Sequence, residues 1–405
     1  MEFFKLPCGI RVLYHYSKSP ISCCGFAIDA GTRDELPEEL GMAHFVEHML
    51  FKGTKRRRTS QVIGQLENIG GQLDAYTEKE ETFVYSVFPT RYTMRAIDLL
   101  SDIIFHSTFP QEELEKERLV ILDEIESYED SPSELIYDDF EGLLYPNHPI
   151  GRAILGEANV LETFDSNMMK AFVQRNYTAE NLLFFYAGRC SQERIIDYCN
   201  RCFDPISIQG NNTTLRTTPT AARGLFKEIE RETSQAHCLI GCEALPLNHN
   251  DRFTLALLNN ILGGPMMSSH LNLAIREKRA LAYTVESSTT AYSDTGLWSV
   301  YFGCDHNDVK TCMRLVDKEL EKMRQTPLSN MLLARAKRQL LGQLLIASQS
   351  LENNILSMAK IALHENINPQ TIKAEDQIRE ITADDVQQLA NHLFNPEKMV
   401  KLLYV

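Results

Sequence analysis

The chemically richest stretch of the chain is Gly41-Met42-Ala43-His44-Phe45-Val46-Glu47-His48-Met49-Leu50. On a helix, His44 and His48 lie four apart and share a face, and Glu47, three after His44, joins them there. Two imidazoles so placed can bind one Zn²⁺ while the carboxylate reaches a water on the metal; the order inverts the better-known His-Glu-x-x-His arrangement. A five-residue pattern of this kind also arises by chance, so the spacing needs support from elsewhere in the chain. A catalytic zinc takes three protein donors and keeps a position for water. The run from Glu112 to Glu126 is rich in carboxylates, and its Leu114, Val120, Ile121, Leu122 and Ile125 predict a helix with one partly buried side. Most of its glutamates read as a solvated face. Glu117 and Glu124, seven apart, project from similar azimuths two turns apart, and only these two need face the helix of His44 and His48.

Positioning such groups requires a scaffold, and the chain suggests a repeated one. The stretch Pro205 to Arg223 is rich in turn formers and poor in core residues, and it divides the sequence into similar halves. The boundaries are an N-terminal domain at 1–207, a linker at 208–222 and a C-terminal domain at 223–405. A strand near Cys23 to Ala30, the helix Gly41 to Phe51, a strand Phe83 to Pro89 and a helix Thr93 to Ile104 have counterparts. These are Ala236 to Cys242, Phe253 to Leu262, Leu297 to Cys304 and Asp308 to Met323. Leu255-Ala256-Leu257-Leu258-Asn259-Asn260 stands where the first half has Ala43 to His48, so the second copy lacks the donors. The hairpin-like successions Asp74 to Ser86 and Thr284 to Phe302 favour antiparallel pairing. The expected class is α+β, two homologous halves, each a mainly antiparallel sheet with helices packed on one face.

Composition narrows the function. At 405 residues, with 43% apolar and 24% charged residues, the chain reads as an ordinary globular protein of several domains. Its net charge of −14 disfavours a nucleic-acid partner. The basic cluster Lys55-Arg56-Arg57-Arg58 is expected to be a solvated loop face. No secretory leader is read in Met1 to Leu6 and no run approaches the length of a membrane span, so a cytoplasmic protein without a membrane partner is expected. The ten cysteines, Cys199-x-x-Cys202 included, are expected to be reduced structural thiols.

His44-x-x-Glu47-His48 followed by Glu124 within Glu-Arg-Leu-Val-Ile-Leu-Asp-Glu-Ile resembles the inverted-motif zinc peptidases, the family of pitrilysin, insulin-degrading enzyme and mitochondrial processing peptidase. The resemblance covers nearly the whole chain. It implies one Zn²⁺ per chain on His44, His48 and Glu124, Glu47 as the base that activates water, and Glu117 as a supporting carboxylate. Gly70-Gly71-Gln72-Leu73-Asp74-Ala75-Tyr76-Thr77 resembles the family's edge strand, where an extended substrate pairs through its main chain. Gly71, Leu73, Asp74, Ala75, Tyr76 and Thr77 are the implied contacts, although the family often has Asn where this chain has Asp74. In the non-catalytic half, Leu273 to Tyr283 resembles a segment carrying an Arg and Tyr pair, which falls on Arg276 and Tyr283. A guanidinium and a phenol can hold substrate carbonyls and donate to a forming oxyanion. The implied activity is endopeptidase cleavage of oligopeptides or unfolded segments in a chamber. The implied assembly is a homodimer, or a heterodimer with a related subunit. The competing readings are a non-catalytic or partner-dependent subunit and a peptide-binding module.

Overall fold

A computed structural model describes residues 1–203 and 216–405. The part of the expected linker at 208–215, and the boundary at 207, lie outside the described residues. The chain forms two compact units, each drawing on three stretches of sequence.

The first unit comprises Met1–Glu126, Arg152–Arg216 and Ala347–Ile372. Its strands are β1 (Glu2–Lys5), β2 (Arg11–Tyr16), β3 (Ile21–Ile28), β4 (Gln72–Thr77), β5 (Thr82–Pro89) and β6 (Leu182–Gly188), in the order β1-β2-β6-β3-β5-β4. Only β2 and β6 run parallel; the other neighbours are antiparallel. Alternate residues point to opposite faces. Cys24, Phe26 and Ile28 of β3 and Leu182, Phe184 and Tyr186 of β6 join a core with the helices Met42–Leu50 and Thr93–His106. Cys23, Ala27, Leu183, Phe185 and Ala187 point the other way. They meet Ile355, Ala359, Ala362 and Leu363 of the helix Leu351–Glu365. A strand covered on both faces reads as a continuous apolar run, which is why Leu182 to Tyr186 does not alternate.

The second unit comprises Ser127–Gly151, Thr217–Ile346 and Lys373–Val405. Its strands are β7 (Phe226–Ile229), β8 (Ala236–Ala244), β9 (Ala282–Ala291), β10 (Gly296–Cys304) and β11 (Val400–Tyr404), in the order β7-β11-β8-β10-β9. β7 and β11 are parallel and the remaining pairs antiparallel. This order and these directions reproduce β2-β6-β3-β5-β4 strand for strand, with β1 as an addition to the first sheet. The helices Arg252–Gly263 and Val309–Gln325 pack on one face. On the other face, Leu239, Leu297, Tyr301, Leu402 and Tyr404 meet Ile136, Phe140 and Leu144 of the helix Pro132–Leu144.

The α+β class and the repeated, mainly antiparallel sheets are as the sequence implied. Each sheet gains a helix on its second face, supplied by the other half of the chain. The sheets thus follow the halves in sequence, and the covering helices 132–144 and 351–365 are exchanged between them. Burying a Leu, Ile or Phe side chain contributes about 1.5–3 kcal/mol, so Phe140 and Ile355 each fasten an exchanged helix.

Two sequence expectations need adjustment. Arg57 is not a solvated loop residue: its side chain is 12% exposed and pairs with Asp98 and with the fully buried Asp102. Val120 is 51% exposed and lies outside the buried stripe of its helix, which holds Leu114 and Ile121. All ten cysteines are free thiols. Among the described residues, no helix is long and apolar enough to cross a membrane.

Candidate metal centre

The helix Met42–Leu50 starts at Gly41, whose φ of 92° and tight surroundings (a Cβ would sit 2.7 Å from the Leu155 carbonyl oxygen) require glycine. Glycine offers no side-chain cap. The buried Glu35 takes that role: Gly41 N–H donates to its Oε2 at 3.0 Å and Ala43 N–H to its Oε1 at 2.8 Å. Burial pushes the Glu35 carboxyl up to about 8, against the pull of these two donors. Met42, Phe45, Val46, Met49 and Leu50 anchor the helix in the core, leaving His44, Glu47 and His48 on its remaining face.

Glu124 reaches that face from the helix Gln111–Glu129, held down by Leu114 and Ile121. Its Oε1 lies 4.0 Å from His44 Nε2 and its Oε2 lies 3.7 Å from His48 Nε2. His44, His48 and Glu124 each present one donor atom, and the three atoms fall within 4.8 Å of one another. Tetrahedral zinc with bonds of about 2.0–2.2 Å separates its donors by roughly 3.4 Å, so a small inward adjustment fits the set to such an ion. Burial first, and then His48, lower His44 to about 4, keeping the imidazole neutral and its lone pair available. Its buried Nδ1 has no partner among the described residues.

Glu117, two turns before Glu124, is buried and accepts at both oxygens. His48 Nδ1 lies 3.0 Å from its Oε1, and Lys52 Nζ lies 2.5 Å from its Oε2. This hydrogen bond orients the His48 ring so that Nε2 faces Glu124. Lys52, two residues past the end of the helix, escaped the sequence reading, because helical spacing does not extend to it. Glu47 receives a hydrogen bond from Thr77 Oγ1 at 2.6 Å. Burial raises the Glu47 carboxyl, and the Thr77 donor and His48 offset part of the rise.

Thr77 closes β4, the last strand of its sheet, which brings one part of the expected edge strand to the centre. Within β4, Leu73, Ala75 and Tyr76 are half-buried, and Gly71 precedes the strand with a Cβ position 3.2 Å from the Leu66 carbonyl oxygen. Asp74 turns to its own sheet: its Oδ1 accepts from Ala75 N–H at 2.9 Å, and Tyr85 Oη of β5 lies 3.4 Å from its Oδ2. Arg276 and Tyr283 belong to the second unit. Arg276 closes a wide helical turn, Asn272–Glu277, and its guanidinium carbon lies 5.8 Å from the centre of the Tyr283 ring. Tyr283 is 80% exposed at the start of the edge strand β9.

Residues 11–158 match the family described as insulinase, peptidase family M16, and residues 163–340 match the peptidase M16 inactive domain. The zinc protease YmxG of Bacillus subtilis, described as uncharacterized, is 30% identical over 98% of this chain and 96% of its own length. The chain belongs to the M16 peptidase family. Another M16 relative is the β subunit of the mitochondrial-processing peptidase of Saccharomyces cerevisiae, 28% identical over 98% of this chain and 90% of that protein. The fold is that of the peptidase M16 inactive domain from Pseudomonas fluorescens. That structure is 20% identical, has a TM-score of 0.92, and is matched over 100% of this chain and 97% of its own. The donor cluster lies within the M16 segment 11–158, and Arg276 and Tyr283 lie within the inactive-domain segment.

Proposed function

We propose that this M16 chain is a zinc-dependent endopeptidase acting on oligopeptides or unfolded segments. The observation that carries this reading is the meeting of His44, His48 and Glu124 within 4.8 Å, with the Glu47 carboxylate beside them and fastened by Thr77. His44, His48 and Glu124 would hold one Zn²⁺, which when bound would supply Lewis acidity toward water and a peptide carbonyl. His48 is held in the donating orientation by Glu117, itself held by Lys52. Glu47 takes a proton from the attacking water and passes it to the leaving amine nitrogen. Its environment, mostly buried yet hydrogen-bonded, keeps its basicity above that of a surface glutamate while Thr77 favours the ionised form. The unpaired side of β4 lines an extended substrate through main-chain hydrogen bonds, with Asp74 engaged at Ala75. Arg276 and Tyr283 hold substrate carbonyl oxygens and stabilise the oxyanion.

The test is cleavage of a panel of internally quenched peptides by the zinc-loaded chain and its Glu47→Gln variant. The expected result is a loss of about 10²–10⁴-fold in the variant with zinc still bound, and loss and recovery of the wild type with chelator and zinc. A zinc-replete wild type as inert as the variant, both alone and with a related subunit added, sinks the proposal.

The processing-peptidase relative is named as a subunit, which favours a second element: the active species is a dimer. A homodimer is the simplest, because one chain carries both the donor cluster and the Arg276 and Tyr283 pair. Sedimentation of the purified chain decides it. A monomer with no turnover, activated by a related subunit, points to the heterodimer.

A further inference from the structure

We propose that Asp74 selects substrates that carry a lysine or arginine side chain opposite it when an extended segment pairs with β4. The proposal rests on the reading of β4 as the strand that receives substrate. Among the described residues β4 has a neighbouring strand, β5, on one side only, so its other side is open to a further strand.

Successive residues of β4 point to opposite faces of the sheet. Leu73, Ala75 and Thr77 share the face of the helix Met42–Leu50, where Thr77 meets Glu47. Asp74 and Tyr76 take the other face, with Tyr85 and Phe83 opposite them on β5. A strand added to β4 alternates in the same way, so its side chains fall into two sets. One set meets the face of Glu47; the other, one residue out of step, meets Asp74 and Tyr76. Residues directly opposite on paired strands hold their Cβ atoms about 4.5–5.5 Å apart, close enough for charges of opposite sign to attract and of like sign to repel.

The Asp74 carboxylate is placed for such a pair. Its Oδ1 accepts from Ala75 N–H at 2.9 Å, which fastens the group to the edge strand. Its Oδ2 has Tyr85 Oη at 3.4 Å, but that hydroxyl carries one proton and lies closer, at 2.9 Å, to Glu352 Oε1. Tyr85 thus stands between two carboxylates and can donate to one. Asp74 is exposed, and neither it nor Glu352 forms an ion pair among the described residues. An asparagine would accept from Ala75 N–H equally well, so the charge is the part of Asp74 that the strand does not use. Tyr76, half-buried beside it on the same face, offers an aromatic surface for the methylene stem of a lysine or arginine. A glutamate at that substrate position would meet a like charge instead.

The experiment is a lysine scan of a short neutral peptide, with glutamine and glutamate at the same positions as controls. Binding to the zinc-free full chain is read by fluorescence anisotropy for the wild type, Asp74→Asn and Asp74→Ala. Cleavage by the zinc-loaded chain is followed by mass spectrometry, which locates each substitution relative to the cut. Binding without zinc keeps this result apart from the peptidase reading, which fails if no peptide is cut. Lysine at one position is expected to bind about three- to fivefold tighter than glutamine, and glutamate there more weakly than either. Both variants should bring the lysine-to-glutamine ratio to about one, and salt should reduce it in the wild type. Asp74→Asn keeps an acceptor for Ala75 N–H, so it separates the charge from that bond and gives the reading if Asp74→Ala fails to fold, which circular dichroism reports. Lysine favoured equally at every position marks attraction to the net charge of −14 and overturns the proposal. So do equal binding of the lysine and glutamine peptides, no saturable binding, and a preference that persists in folded Asp74→Asn.

Discussion

The helices Met42–Leu50 and Arg252–Gly263 follow equivalent strands and pack on equivalent faces of equivalent sheets. Their apolar faces do the same work, through Phe45, Val46 and Met49 in one and Leu255, Leu258 and Leu262 in the other. Their polar faces have diverged. Where the first presents His44, Glu47 and His48, the second has Ala256, Asn259 and Asn260. Asn259 is spent on structure: its Oδ1 accepts from Trp298 Nε1 at 3.0 Å and its Nδ2 donates to the Ser287 carbonyl at 3.2 Å. The scaffold is set by burial, which tolerates many polar substitutions on the opposite side. One copy can therefore carry the donor cluster and the other lack it on the same fold.

If the two halves differ only in polar groups on a shared frame, truncating the exchanged helices harms both units alike. Phe140→Ala and Ile355→Ala are each expected to cost about 2–5 kcal/mol in chemical denaturation. A cost confined to one unit breaks the equivalence. Changes on the polar face of the first half leave stability nearly unchanged and act on the centre instead. Glu117→Gln weakens the hold on His48, and zinc affinity or activity is expected to fall by about 10–100-fold, read by competition with a chelating dye. Thr77→Val removes a donor to the ionised form of Glu47. The acid limb of kcat/KM is expected to move to higher pH, with about a fivefold loss on its acid side; an unmoved limb removes Glu47 as its source.

The smallest effect concerns a buried ionic cluster of the first unit, where His364 Nε2 lies 2.9 Å from Glu81 Oε2. Burial opposes ionisation of both groups. For His364 the bond to Glu81 and the charges of Asp29, Glu81 and Glu80 together outweigh it and raise the imidazole; for Glu81 the bonds to His364 and Lys360 and the charges of both together outweigh it, lowering the carboxyl to about 2. The raised histidine contributes fully below its ordinary 6.5 and loses its contribution as pH rises through its folded value. The depressed glutamate contributes above its ordinary 4.5 and loses its contribution as pH falls toward about 2. Stability is expected to decline modestly as pH rises above the ordinary 6.5 through the raised value of His364, and His364→Gln should flatten that limb. An unchanged slope in the variant assigns it to other groups.

Much of the centre was legible in the chain because the relations involved are local. A spacing of four from His44 to His48 puts them on one helical face whatever surrounds them. Alternation and turn residues likewise announced the paired hairpins β4–β5 and β9–β10, and the matching order of elements announced the repeat. The seven-residue spacing of Glu117 and Glu124 showed that they share a face. Their different contacts, one to His48 Nδ1 and the other between the two Nε2 atoms, depend on how two helices lie against each other. Periodicity does not encode that.

Only the tertiary structure decided three further matters: Glu35 caps the helix of His44 and His48 from outside it, Asn260 Nδ2 is left without a partner among the described residues, and the helices 132–144 and 351–365 are exchanged. An amphipathic helix declares that it has an apolar face, through spacings a few residues long. Which sheet covers that face is a competition among contacts hundreds of residues apart in the chain, settled by shape and buried area once the whole has folded.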